Sequence, residues 1–259
     1  MKIQFIRHAT FILSMANKKI LVDPMLSDIG TLPPIPLTPR RTNNPLISLP
    51  LEKTSLIKDI DAVLLTHYHF DHFDKVAENI LPKNILVFCQ PVDEAKLNKK
   101  GFINVQVIDN NIEWGKISIK RFPANHAEEF LLKKALGKSS SYFLQTESDS
   151  LFITGDAILD QLLVNSLEKI KPNSIIVYSG SAQFLFGKPI TLTYNSLKRI
   201  RLLLPEAKIM AVHLDAINHC LLSKDELRKS IIRDNLTMDI IIPNEGDMLS
   251  IVAGTSPDN

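Results

Sequence analysis

Cysteine is almost absent. Cys89 and Cys220 are the only two in 259 residues, too few for a disulfide framework and suited to a reducing, cytoplasmic setting. An excess of one charge is missing as well. The net charge is +2, and the basic pairs Arg40-Arg41, Lys99-Lys100 and Lys133-Lys134 are scattered. They read as solvated faces, not as a nucleic-acid stripe. No apolar run approaches the ~20 residues that a membrane helix requires. The opening MKIQFIRHATFILSMANKK imitates a secretory leader, but Arg7 and His8 interrupt its apolar stretch. It reads better as strands 2–7 and 10–16, turning at Asn17-Lys18-Lys19 into a third strand, KILVD. Tandem repeats and low-complexity tracts are lacking too. The 45% hydrophobic and 22% charged composition is that of a globular protein, and we read 1–259 as a single domain.

Along that domain, residues 24–50 are rich in proline and cannot hold a helix, so they are expected to form an ordered loop near the functional site. From residue 60 strands and helices alternate. DAVLLT, NILVFC, VQVI, KISIKRFPA, SSYFLQTES, SLFITG, SIIVYS, KIMAVH and MDIIIP read as strands. Helices are expected in DHFDKVAENIL, VDEAKLNKKG, QLLVNSLEKI, YNSLKRIRLLL and KDELRKSIIRD, with a turn at Asp109-Asn110-Asn111. Several neighbouring strands are hairpin-like, which points to an α/β chain with mixed sheets.

Histidine is scarce, seven in all, yet THYHFDHFD at 66–74 holds three of them with two aspartates. Chance would place His-x-His-x-Asp-His in roughly one such chain in several thousand. His67 and His69 follow an apolar strand, and Asp71 and His72 fall where the next helix is expected to start. Imidazole and carboxylate are the ligands of zinc and related first-row metals, and buried groups of this kind need partners. Further donors follow other apolar strands: His126 in FPANHAE, Asp156 in LFITGDA and His213 in KIMAVHLDAINHC. His219, six residues after His213, is a candidate to hydrogen-bond substrate or protonate a leaving group, and a satisfied buried histidine is an equal reading. His8 reads as structural, with a role in orienting a ligand as the alternative. Trp114 reads as turn packing, Phe184 and Phe186 as loop packing with the lining of a substrate pocket as the alternative, and both cysteines as small buried hydrophobes.

The set THYHFDHFD, His126, TGDA and His213, in that order, resembles the metallo-β-lactamase superfamily, and the likeness spans nearly the whole chain. The segment HATFILSMANKKILVDPMLSD is similar to the branch containing ascorbate-phosphate lactonases and N-acyl-phosphatidylethanolamine phospholipases. VHLDAINHC resembles a subgroup of small bacterial hydrolases within it. The resemblance implies a four-layer αββα sandwich with metals at one edge of two sheets. It implies His67, His69 and His126 on a first divalent metal, Asp71, His72 and His213 on a second, and Asp156 bridging them. Zinc is the expected ion, with manganese or iron as alternatives.

Two metals ~3.5–4 Å apart can share a water and lower its pKa toward ~7. The implied activity is therefore hydrolysis of a small-molecule ester, lactone or phosphodiester by a metal-bridging hydroxide, with Asp71 also orienting the nucleophile or taking its proton. An iron-dependent oxidoreductase of the sulfur dioxygenase type is the alternative, and a scaffold that has lost catalysis is a third class. True β-lactamases of the superfamily commonly carry cysteine where Asp156 falls, which argues against drug hydrolysis. Tyr68, Phe70, ANHA, GDA and YSGSAQF depart from the usual pattern at positions that bear on substrate. A small-molecule substrate and a homo-oligomer are expected, without nucleic acid or a membrane span.

Overall fold

A computed structural model describes residues 1–251. The first sheet begins with β1 (Lys2–Arg7), β2 (Thr10–Met15) and β3 (Lys18–Val22), with β2 antiparallel to both neighbours. After the proline-rich loop come α1 (Lys53–Leu56), β4 (Ala62–Leu64), α2 (Lys75–Ile80), β5 (Leu86–Cys89), α3 (Glu94–Lys99) and β6 (Val105–Val107). Strands β3 to β6 run parallel. The second sheet is built from β7 (Asn111–Trp114), β8 (Ile117–Ala124), β9 (Ser139–Gln145) and β10 (Ser150–Ile153), with α4 (Phe130–Leu136) inserted. It continues through α5 (Gln161–Ile170), β11 (Ser174–Tyr178), α6 (Tyr194–Leu203), β12 (Lys208–Val212), α7 (Lys224–Arg233) and β13 (Ile240–Ile241). Finally β14 (Met248–Ser250) returns to pair with β1. Each sheet has seven strands of mixed direction, in the orders β14-β1-β2-β3-β4-β5-β6 and β13-β12-β11-β10-β9-β8-β7.

The period-2 geometry of the strands sorts their side chains between layers. Ala62 and Leu64 of β4 and Met210 and Val212 of β12 enter the core between the sheets, where Phe5, Phe11, Phe88, Tyr142 and Tyr178 also lie. The alternate residues face outward. Val63 and Val87 pack on Phe73, Ala77 and Leu97 on one side. Ile209 and Ala211 pack on Leu163, Leu197, Ile200 and Leu227 on the other. The result is the expected αββα sandwich. Helix starts follow their caps: Asp160 accepts from Leu163 N, Thr193 from Ser196 N, and Ser223 with Glu226 forms a capping box. Among the described residues no helix is long and apolar enough to cross a membrane.

Several expectations need correction. The helix expected from residue 71 begins at Lys75, because Asp74 caps it by accepting from Ala77 N at 2.8 Å and fixes the loop by accepting from Ser27 N. Asp71 and His72 therefore sit in the turn before the helix. Trp114 ends β7 and pairs with Ile117 across the Gly115-Lys116 turn, as expected of a residue packing a turn, and its ring meets Phe88 edge-on at 5.3 Å. The strand expected in MDIIIP shortens to Ile240–Ile241. Helices α1 and α4 and strands β7 and β14 were not expected. In α4 no residue is fully buried, so FLLKKAL offers little amphipathic signal.

The loop at 24–50 has no helix, yet it is tied down. The fully buried Arg7 guanidinium donates to Met25 O, Ser27 O and Ile47 O at 2.8–2.9 Å. Leu32 and Asn44 exchange backbone hydrogen bonds at 2.7 and 2.8 Å. The side chain of Asn218, beside His219, makes five contacts with the loop. Its Oδ1 accepts from Ile35 N and Asn44 Nδ2, and its Nδ2 faces Thr38 Oγ1, Arg40 O and Ile35 O.

Candidate metal centre

Strand ends of both sheets supply the centre. Behind β4 lie His67, His69, Asp71 and His72; behind β8 lies His126; behind β10, Asp156; behind β12, His213. Placement at the carboxyl ends of strands is where open α/β sheets bind ligands. The TGDA turn depends on Gly155, whose φ is +57° and where a Cβ would meet Ser140 O at 2.5 Å. Beside the site, a Cβ on Gly180 would stand 2.0 Å from His213 O, so the two chain segments touch backbone to backbone.

The structure brings all seven expected donors together. His67, His69 and His126 offer ligand atoms within 4.8 Å of one another, as do His67, His72 and Asp156. Asp71, His72 and His213 form another such group, which His8 joins. Asp156 lies between them. Its Oδ2 is 3.3 Å from His126 Nε2 and 3.4 Å from His72 Nε2, while its Oδ1 is 3.2 Å from His213 Nε2 and has no hydrogen-bond partner among the described residues. Convergent nitrogens and carboxylate oxygens with an orphaned buried oxygen fit a cation, and the donor set suits a first-row divalent ion.

Each ring is turned by a partner on its far nitrogen. His72 Nδ1 meets Asp23 Oδ2 at 2.9 Å, His126 Nδ1 donates to Ile190 O at 2.8 Å, and His67 Nδ1 meets Thr66 Oγ1 at 3.1 Å. His213 Nδ1 shares a hydrogen with Cys220 Sγ at 3.4 Å. His69 is reversed: its Nε2 donates to Leu136 O at 2.8 Å, leaving Nδ1 for the centre, 2.8 Å from His67 Nε2. Such partners fix tautomer and aim.

Electrostatics follow from burial and neighbours. Burial pushes the His67 and His213 imidazoles well down. Burial would also lower His72, but Asp156, Asp71 and Asp23 around it hold it well above the usual value. Burial disfavours ionised Asp156, yet His213, His72 and His126 outweigh it and keep the carboxyl well below the ordinary range. Asp71 behaves alike beside His72 and His8. Burial pushes His219 down to about 4.

Sequence reasoning missed Asp23, which accepts from Thr66 N, Thr66 Oγ1 and Tyr178 Oη as well as facing His72. Its one signal was an aspartate closing the apolar strand KILVD. His8 Nε2 stands 3.5 Å from Asp71 Oδ2, which agrees with the alternative reading of His8 as a residue that orients a ligand. The centre opens into a cavity of about 590 Å³. Its floor includes His69, Asp71, His126, Asp156 and His219. Its walls are Leu32–Pro36 of the proline-rich loop with Tyr68, Phe70, Leu136, Phe184 and Ile190. Phe184 lines the cavity, as the alternative reading of the pair has it, while Phe186 is 78% exposed and is not among the lining residues.

Comparison with known proteins agrees with this architecture. A family model described as a β-lactamase superfamily domain matches residues 2–177. The UPF0173 protein YddR of Bacillus subtilis is 33% identical over 250 residues, 95% of this chain and 98% of that protein. The crystal structure of an isothiocyanate hydrolase from Delia radicum gut bacteria superposes with a TM-score of 0.94 at 30% identity, covering 98% of this chain and 100% of that one. A possible metal-dependent hydrolase of Veillonella parvula follows at 0.93 and 29%, covering 96% and 98%. The chain belongs to the β-lactamase superfamily, among its metal-dependent hydrolases of the metallo-β-lactamase fold.

Proposed function

We propose that this protein hydrolyses a small, uncharged, largely apolar electrophile at carbon, using two divalent metal ions. The observation that carries this reading is the donor cluster on the floor of an apolar-walled cavity. His67, His69 and His126 would hold one ion, Asp71, His72 and His213 the other, and Asp156 would bridge them. Zinc is the first expectation, with manganese or iron as alternatives. When bound, such ions lower the pKa of water and polarise the atom that accepts charge.

The chain's own groups do the rest. Leu32, Ile35, Phe70, Phe184 and Ile190 exclude water and hold apolar substituents. Asp71, which lines the cavity, would also orient the attacking water and take its proton. His219, neutral at pH 7 because burial lowers it to about 4, is suited to donating a hydrogen bond to the substrate heteroatom. Lys75 is the one lysine or arginine among the described residues lining the cavity, which gives a phosphodiester little to grip. A neutral ester, lactone or isothiocyanate matches the walls better. The isothiocyanate hydrolase among the relatives makes that class the first to try. Water adds across its C=N carbon, and the thiocarbamate then releases amine and carbonyl sulfide. The same likeness favours hydrolysis over an iron-dependent oxidation of the sulfur dioxygenase type. Two buried free thiols, Cys89 and Cys220, agree with a cytoplasmic location.

The test is metal content per chain, then turnover of an aryl isothiocyanate, a lactone panel, p-nitrophenyl esters and bis-p-nitrophenyl phosphate. Two equivalents of metal and turnover of a neutral carbon substrate, lost in Asp156→Ala, support the proposal. Turnover of the phosphodiester alone would overturn the substrate class. Oxygen consumption with one iron and no hydrolysis would overturn the reaction.

A further inference from the structure

His8 is the residue of the centre that the seven-donor scheme leaves unused. It sits in the turn between β1 and β2, 1% exposed, and neither ring nitrogen has a hydrogen-bond partner among the described residues. A buried imidazole without any partner is rare, because the lost hydration is not replaced. Its backbone is also unusual. His8 has φ +59°, left-handed and uncommon for a side chain of this size, and so does His213 at +64°. The two are tied together, since His213 N donates to His8 O at 2.9 Å and their rings lie with centroids 3.7 Å apart. Strained backbone held by its surroundings tends to mark functional positions.

The direction of the ring gives the reason. His8 Nε2 is 3.5 Å from Asp71 Oδ2, whereas His72 Nε2 and His213 Nε2 are 3.8 and 3.9 Å from that same oxygen. His72 Nε2 and His213 Nε2 are 3.3 Å apart. Donors arranged around an ion at ~2.0–2.1 Å lie roughly 3–3.5 Å from one another. By that measure His8 approaches Asp71 Oδ2 more closely than His72 or His213 does, and the four offer ligand atoms within 4.8 Å of one another.

We propose that His8 is a direct ligand of the second metal, through Nε2. This rests on the two-metal reading above and deepens it. The two sites then differ in kind. The first takes four protein donors, His67, His69, His126 and Asp156. The second takes five, Asp71, His72, His213, Asp156 and His8, so it favours an ion tolerant of higher coordination than tetrahedral zinc. The alternative is that His8 donates to Asp71 and acts on the metal only through it.

Cobalt(II) titration of the metal-free protein separates these cases without reference to turnover. His8→Gly and His8→Asn are the variants, since both residues accept a left-handed backbone. Circular dichroism of the metal-free forms checks the fold. The expected result is an unchanged first equivalent and a second equivalent weakened by more than about 100-fold, beyond the ~10–100-fold typical of an outer partner. The visible band of the second cobalt should intensify as coordination falls, and imidazole added to His8→Gly should reverse that change. Weaker binding with an unaltered band would assign His8 to positioning Asp71 and overturn direct ligation. Unchanged binding and band would also overturn it. Uptake of only one equivalent by the native protein would overturn this proposal and the two-metal reading together. Two equivalents in the native protein with no effect of His8 would overturn this proposal alone.

Discussion

Asn218→Ala removes the side chain on which the proline-rich wall of the cavity is hung. In the native protein Oδ1 accepts from Ile35 N at 3.0 Å and Asn44 Nδ2 at 2.9 Å, and Nδ2 lies 2.6 Å from both Thr38 Oγ1 and Arg40 O. Two amide hydrogens serve the donor side, so truncation deletes about four hydrogen bonds, each worth ~0.5–1.5 kcal/mol net. It also strands the donors of Ile35 and Asn44 in a buried setting, at ~1–3 kcal/mol each unless water enters. The sum is ~3–5 kcal/mol after partial relaxation, at the upper end for a single substitution. The loss falls on the segment around residues 32–44. Limited proteolysis should therefore cut that segment much faster in the variant, while bound metal stays at the native level. With an apolar substrate KM should rise more than kcat falls, because Leu32–Pro36 form the wall and no donor to the ions is touched. Asn218→Asp sharpens the test. It sets a carboxylate oxygen against the carbonyl of Arg40, so it should be as damaging as alanine despite being isosteric. Native resistance to proteolysis in Asn218→Ala, or an Asn218→Asp protein as sound as the native one, would refute the reasoning.

Three other perturbations follow. Gly155→Ala forces a Cβ to within 2.5 Å of Ser140 O at φ +57°, so thermal denaturation should report a loss of ~3 kcal/mol or more together with reduced metal uptake. Asp23→Asn keeps the shape but weakens the hold on His72 Nδ1, and competition with a chromophoric chelator should show metal affinity lower by ~10–100-fold with folding intact. The sign for His219 runs toward acid. The unfolded chain takes up its proton near pH 6.5 and the folded one only near 4, so the metal-free protein loses stability as pH falls between those values. His219→Gln should flatten that fall by up to about 1.4 kcal/mol per pH unit, read as melting temperature against pH.

What the sequence discloses here is what lies close together along it. Strand β12 and helices α5 to α7 could be placed because period 2 and period 3.6 are written in consecutive residues, and THYHFDHFD announced itself through its density of ligands. The donors after other strands could be found because each follows an apolar run. The groups that aim those donors could not. Asp23 meets Tyr178 across 155 positions and Asn218 meets Asn44 across 174, distances over which no local pattern carries information. His8 stands alone between two strands, and no local pattern in the sequence links it to Asp71. Helix α4 escaped because burial does not shape its composition, with Phe130 and Leu131 each 78% exposed.

The donors come from opposite slabs of the sandwich, His67 to His72 from the first sheet and His126, Asp156 and His213 from the second. A cation that binds them is therefore a rivet through the seam between two half-molecules, assisted by the Tyr178–Asp23 contact that crosses the same seam. Because the unfolded chain offers no such convergence, occupancy at 100 times the dissociation constant adds ~2.7 kcal/mol of cohesion per ion. Removing a bound cation would then loosen the join itself, and a chelated sample should come apart along the line where the two sheets meet before either sheet unravels.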